Sequence, residues 1–319
     1  MKGDSVPGVL VKVAISAGFV AFLLARIDIS RLSGIFRACP AQRVVPLLAA
    51  MVIFIPLFLA VRWFVLLRGQ SKGDIPPFPF VLQLTMAGLF FNTVLPTGAG
   101  GDVVRIYYAT RGRERKLGTG SSVLVDRMIG SLTVLAMAGV ATCLPGVARR
   151  DVAAVTGSLF ALIVVAAVLL SRRDFARAFF RSFRRFLSPA FGQRLMLLYD
   201  ALAGYFVRKG VLLCAVGVSF LLDLLSILCQ YGLAVALSGA HAPAPGWFFA
   251  AIPLIWLSNL VPSIGGTGVR EFSYVFFFKS AMGKDAAFAL SLLVDLTIFG
   301  QALLGAAVFV LMRHSRQAK

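Results

Sequence analysis

Acid and histidine are scarce in this chain, which has 13 Asp and Glu against 32 Lys and Arg and only 2 His in 319 residues. His241 and His314 both lie near the ends of apolar segments, which argues against a histidine-based metal or catalytic centre. Neither a metal nor a cofactor is expected. Cys39, Cys143, Cys214 and Cys229 are scattered without C-x-x-C spacing, so they read as small hydrophobes and not as a disulfide or zinc framework. No nucleotide-binding signature occurs, so any drive for work would come from ions, a lipid gradient or neither. No small-x-small cleavage site follows Leu24, and Arg26 comes at once, which disfavours a secretory signal peptide. Long polar stretches are missing too, and no soluble domain of ordinary size fits.

What is present in excess is apolar surface: 59% hydrophobic residues, 14% charged, and a mean hydropathy of +0.88. Those values lie outside the soluble globular range and indicate an all-α polytopic membrane protein. Six apolar runs are long enough to span a bilayer, at 9–25, 44–67, 118–145, 152–171, 211–237 and 285–312. Two shorter runs, 79–95 and 247–261, end in Pro/Gly-rich motifs. Residues 1–319 read as a single integral membrane domain with one half at 9–145 and the other at 152–312.

The net charge of +19 belongs to the membrane and not to nucleic acid. Lys and Arg concentrate in 111–116 and in 172–210, and positive-inside bias places both in the cytoplasm. Within the second segment Phe175, Phe179, Phe183 and Phe186 recur at helical spacing with Arg177, Arg181, Arg184 and Arg185 between them. This is the pattern of an amphipathic helix on an anionic leaflet, or of a solvated loop that only sets topology.

The two Pro/Gly motifs repeat one plan. Asn92 to Arg105 runs NTVLPTGAGGDVVR, and Asn259 to Arg270 runs NLVPSIGGTGVR with Glu271 following. Each precedes a segment with one acid in a near-identical setting, SVLVD ending at Asp126 and SLLVD ending at Asp295. Gly98, Gly100 and Gly101, and likewise Gly265, Gly266 and Gly268, allow sharp turns and expose backbone N–H groups. A helix N-terminus at such a turn attracts anions, and Arg105 or Arg270 offers a fork matched to phosphate. With Asn92, Asn259, Asp102 and Glu271 these residues make two candidate headgroup sites. Equally, the glycines allow a tight bend while Arg105 pairs with Asp126 and Arg270 with Asp295.

Asp126 has Arg127 next to it, whereas Leu296 follows Asp295, so Asp295 needs Arg270, a proton or an ion. On that asymmetry the first motif suits a fixed headgroup site and the second a coupling step. Arg62, near a span end, reads as snorkelling or as a further ion-pair member, and Asp223 is another polar interruption.

Two topologies fit. The two short runs either enter and return, giving six full spans plus two re-entrant hairpins in inverted repeats, or they cross, giving eight spans. Loop charges favour neither. Half-helices broken by Pro and Gly favour the re-entrant form, which supplies the inversion that alternating access requires.

On Arg62-Trp63, FNTVLPTGAGGDVVR, Asp126-Arg127, VPSIGGTGVRE and Asp295, the chain resembles the transmembrane region of the lysylphosphatidylglycerol synthase family. That region is the flippase-like domain of the multiple peptide resistance factor proteins. The resemblance runs from about residue 10 to 312 and implies a multi-pass inner-membrane protein that moves lipid between leaflets. The sequence ends soon after its last apolar run, so a stand-alone member without the synthase domain is expected, its lipid unspecified. The leading functional expectation is a lipid translocase whose partners are anionic or polar headgroups, with homo-oligomerisation left open. An integral membrane enzyme acting on a lipid or polyprenyl phosphate, and a non-transporting lipid-binding accessory, are the alternatives.

Overall fold

A computed structural model describes residues 29–70, 75–95, 100–111, 116–142, 208–257 and 266–317, with scattered positions at 154, 157–158, 160–162, 164–165 and 204–205. The expected span at 9–25, most of that at 152–171 and nearly all of the basic segment 172–210 lie outside the described residues.

Nine α-helices and a short 3-10 turn at Gly239–His241 make up the described elements, and no strand occurs among these residues. They are α1 (Ile29–Ala38), α2 (Ala41–Gln70), α3 (Phe78–Val94), α4 (Gly100–Thr110), α5 (Lys116–Thr142), α6 (Lys209–Ser238), α7 (Pro245–Leu257), α8 (Val269–Met282) and α9 (Lys284–Gln317). Four are long and apolar enough to cross a membrane, over Ala41–Gly69, Gly118–Ala141, Lys209–Ser238 and Lys284–Met312. The protein is therefore a multi-pass membrane protein. Two further apolar helices are shorter, α3 with 17 residues and α7 with 13.

Sequence chemistry sets the breaks. α3 starts directly after Pro76 and Pro77 and stops just ahead of Pro96, where an α conformation for the preceding residue is disfavoured. α8 begins after Gly266 and Gly268, whose φ values of 83° and 86° belong to glycine, and Gly283 (φ 82°) separates it from α9.

The chain thus contains one sequence of elements twice: a long helix, a short apolar helix, a Pro/Gly break, a second short helix and a closing long helix. α2 and α6 lead the two halves and pack antiparallel. A Cβ on Gly69 would touch the side chain of Val211, and one on Gly232 would touch Leu47. Beside the contacts inside each half, further contacts exchange between halves: α3 packs on α9 and α7 on α5, while α2 meets α9 as α6 meets α5.

Each pair of short helices is a hairpin that starts and finishes at one end of the bundle. Val81 at the start of α3 and Ala109 at the end of α4 share a buried cluster with Leu67, Val123 and Met312. At the opposite end Phe248 near the start of α7 and Met282 at the end of α8 pack with Val44, Leu233 and Ala286.

Candidate functional site

Charge is buried where each hairpin tip meets the long helices. In the first half Asp126 on α5 receives Arg62 from α2, Nε to Oδ1 at 2.6 Å. Arg105 on α4 reaches the other carboxylate oxygen at 3.3 Å, beyond the usual length for such a bond. Its guanidinium lies over the Trp63 ring, 4.1 Å from the centroid, and Trp63 is fixed in turn by an Nε1–H bond to Ser122 at 3.0 Å. Arg105 is 7% exposed, and its buried Nε–H has no acceptor among the described residues. Of the two arginines at Asp126, Arg105 is the loosely held one.

Arg105 can sit there because two helices touch. Its stem crosses Gly88, where a Cβ would come within 3.0 Å of Arg105 Cδ, and a Cβ on Gly101 would strike the Gly88 carbonyl at 2.0 Å. Asn92 supplies the acceptor for the Gly101 N–H, Oδ1 at 2.8 Å, so it caps the first turn of α4. Asp102 in that turn lies 3.6 Å from Arg105 and also takes the Arg127 Nε–H. Gly100 is buried at the same helix start.

The second half is tighter and simpler. Arg270 on α8 donates to Asp295 Oδ1 on α9 through Nη2 at 2.6 Å and Nε at 2.7 Å. Glu271 accepts the Gly268 N–H at 2.6 Å and so closes its own helix start. At the position matching Arg62 stands Gln230, whose side-chain oxygen accepts the Tyr274 hydroxyl.

Two expectations from the sequence change. Arg62 does not snorkel: it is 5% exposed and holds Asp126 and, through Nη1, Ser219 Oγ at 2.8 Å. Arg127 does not partner Asp126, because consecutive helix residues point in different directions; it turns to Asp102. Of the partners open to Asp295, it is Arg270 that holds it. The structure brings together Arg62, Arg105, Asp126, Asp102, Arg127 and Asn92 in one centre, and Arg270, Glu271 and Asp295 with Gly266 and Gly268 at a second. Gly98, Gly265 and Asn259 lie outside the described residues.

Ser219, Thr133, Gln230 and Tyr274 were not anticipated. A signal for part of the set existed: Ser219, Asp223, Ser226 and Gln230 recur on α6 at spacings of 4, 3 and 4, one helical face, and all are buried. Among the described residues no group of His, Cys, Asp and Glu is arranged to hold a metal ion.

A membrane bundle with a buried arginine–carboxylate centre at each of two hairpins defines a class of integral, multi-pass, two-repeat protein. The chain belongs to the family of the lysylphosphatidylglycerol synthase transmembrane region, whose pattern matches residues 9–305. No curated protein and no solved structure matches it.

Proposed function

We propose that this protein is a lipid translocase of the inner membrane that carries a polar or anionic headgroup between leaflets by alternating access. The observation that carries the proposal is Arg105, a buried arginine in the middle of α4 whose Nε–H has no acceptor among the described residues. A phosphate oxygen answers that donor. Antiparallel packing of α2 and α6 supports reading the halves as inverted repeats, and hairpins rooted at opposite ends support reading both as re-entrant. In this scheme the headgroup enters beside Arg105, passes toward Arg270, and the acyl chains stay in lipid.

The test is transfer of a labelled anionic phospholipid between leaflets of liposomes holding purified protein, scored by outer-leaflet quenching. The wild type should transfer the lipid, and the folded double variant Arg105→Gln with Arg270→Gln should not. Undiminished transfer by that variant overturns the proposal.

A further inference from the structure

Between the two charged centres one acid has no arginine bonded to it among the described residues. Asp223 on α6 is 5% exposed, and its Oδ2 accepts a hydrogen bond from Thr133 Oγ1 at 2.7 Å. Thr133 Oγ1 lies 2.8 Å from Ser219 Oγ, which accepts from Arg62 at 2.8 Å. Each hydroxyl has one proton, so when an ionised Asp223 takes that of Thr133 the donors run from Arg62 to Ser219, Ser219 to Thr133 and Thr133 to Asp223. That chain passes from α2 in the first half to Ser219 on α6 in the second, crosses to Thr133 on α5 and returns to Asp223 on α6.

Fold does not require an acid here. The α6 stripe of Ser219, Asp223, Ser226 and Gln230 matches Met51, Ile55, Phe58 and Arg62 on α2, and Ile55 occupies the place of Asp223. The stripe begins at the Arg62 centre and ends at Gln230, eleven residues or roughly 16 Å along the helix at ~1.5 Å per residue. A carboxyl group kept within such a stripe, where burial of an unpaired charge is costly, indicates a role in function.

We infer that Asp223 is the binding site for a coupling proton, an inference that rests on the translocase reading for its purpose but not for its chemistry. Ionised, the carboxylate accepts from Thr133 and draws the relay toward α6, which keeps Arg62 shared between Asp126 and Ser219. When a proton adds to the carboxylate, the new O–H donates to Thr133 Oγ1. Thr133 then turns its own proton to the Ile129 or Gly130 carbonyl, 3.1 and 3.0 Å away. The cooperative pull on Ser219 weakens, and with it the hydrogen bond that ties Arg62 to α6, which shifts Arg62 toward Asp126.

The charged groups around Asp223 leave it this role. Arg62 is the cation whose field reaches it. Among the helices against α6, α5 contributes Asp126, which is bound to Arg62, and Arg127, which is turned to Asp102. α9 contributes Asp295, held by Arg270, and α7 has no charged residue. Arg43 and Arg68 on α2, Arg37 on α1 and Lys284 and Asp285 on α9 lie toward helix ends.

Infrared difference spectroscopy of the purified wild type across a pH titration should show the carbonyl stretch of a protonated carboxyl, and Asp223→Asn should lose that band while Asp295→Asn keeps it. A band that survives in Asp223→Asn, or no titrating band in the wild type, overturns the assignment. In liposomes the transfer rate should vary with pH, by at most roughly tenfold per pH unit for one proton, and become flat in Asp223→Asn. A dependence on Na⁺ at fixed pH in place of pH dependence also overturns it. Asp223→Glu, which restores the acid, should restore both readouts if the asparagine variant folds poorly. The spectroscopic arm stands even if no lipid moves, so failure of the translocase reading and failure of the proton site give different results.

Discussion

Asp126 serves two arginines and Asp295 one, and this difference decides how each centre responds to loss of a cation. Arg105→Gln leaves Asp126 bonded to Arg62, whereas Arg270→Gln removes the arginine bonded to a carboxylate that is 6% exposed. Breaking a buried pair from one side costs about 3–5 kcal/mol. Arg270→Gln should therefore lower the thermal unfolding midpoint of the purified protein clearly more than Arg105→Gln; equal shifts would contradict the assignment of Arg62 as the main partner of Asp126. The pairing of each motif arginine with its late acid was legible in the sequence, because both halves repeat the same spacing. Arg62 was not, since a charge near a span end predicts snorkelling unless a carboxylate on another helix is known to face it. The adjacency of Asp126 and Arg127 misled for a simple reason: neighbours in sequence diverge around a helix.

At the scale of elements, the first hairpin depends on a backbone contact that admits no side chain. A Cβ at Gly101 would lie 2.0 Å from the Gly88 carbonyl, and one at Gly305 would lie 2.1 Å from the Met86 carbonyl where α9 crosses α3. Gly101→Ala and Gly305→Ala should each destabilise the protein by roughly 1–3 kcal/mol, the range for overpacking. Gly217→Ala, with open space around it, should be neutral or slightly stabilising because alanine favours helix. Thermal stability in detergent measures all three. Prolines, glycines and run lengths made the short helices readable in advance. Which long helix each would lie against was not readable, because apolar periodicity gives a face but no partner.

For the whole molecule, antiparallel α2 and α6 make a geometric claim that cross-linking can check. Cysteine pairs at Gly69 with Val211 and at Leu47 with Gly232 should form disulfides on oxidation, detected by a mobility shift after a protease site is inserted between the halves. The mismatched pair Gly69 with Gly232 should not. Loop charges left the topology undecided; the contacts between α2 and α6 are long-range facts that no local pattern contains.

The exchange of partners between halves also bears on biogenesis. α3 and α4 emerge early in synthesis, and α3 finds α2 already made, yet α9, the long helix it packs on most extensively, is the last of the described helices to leave the ribosome. α7 differs, since its platform α5 is already in the membrane when it arrives. The first hairpin, with the buried Arg105 in its second helix, therefore waits through most of translation for the larger part of its seat. Any insertion machinery serving this protein must shelter that hairpin longest.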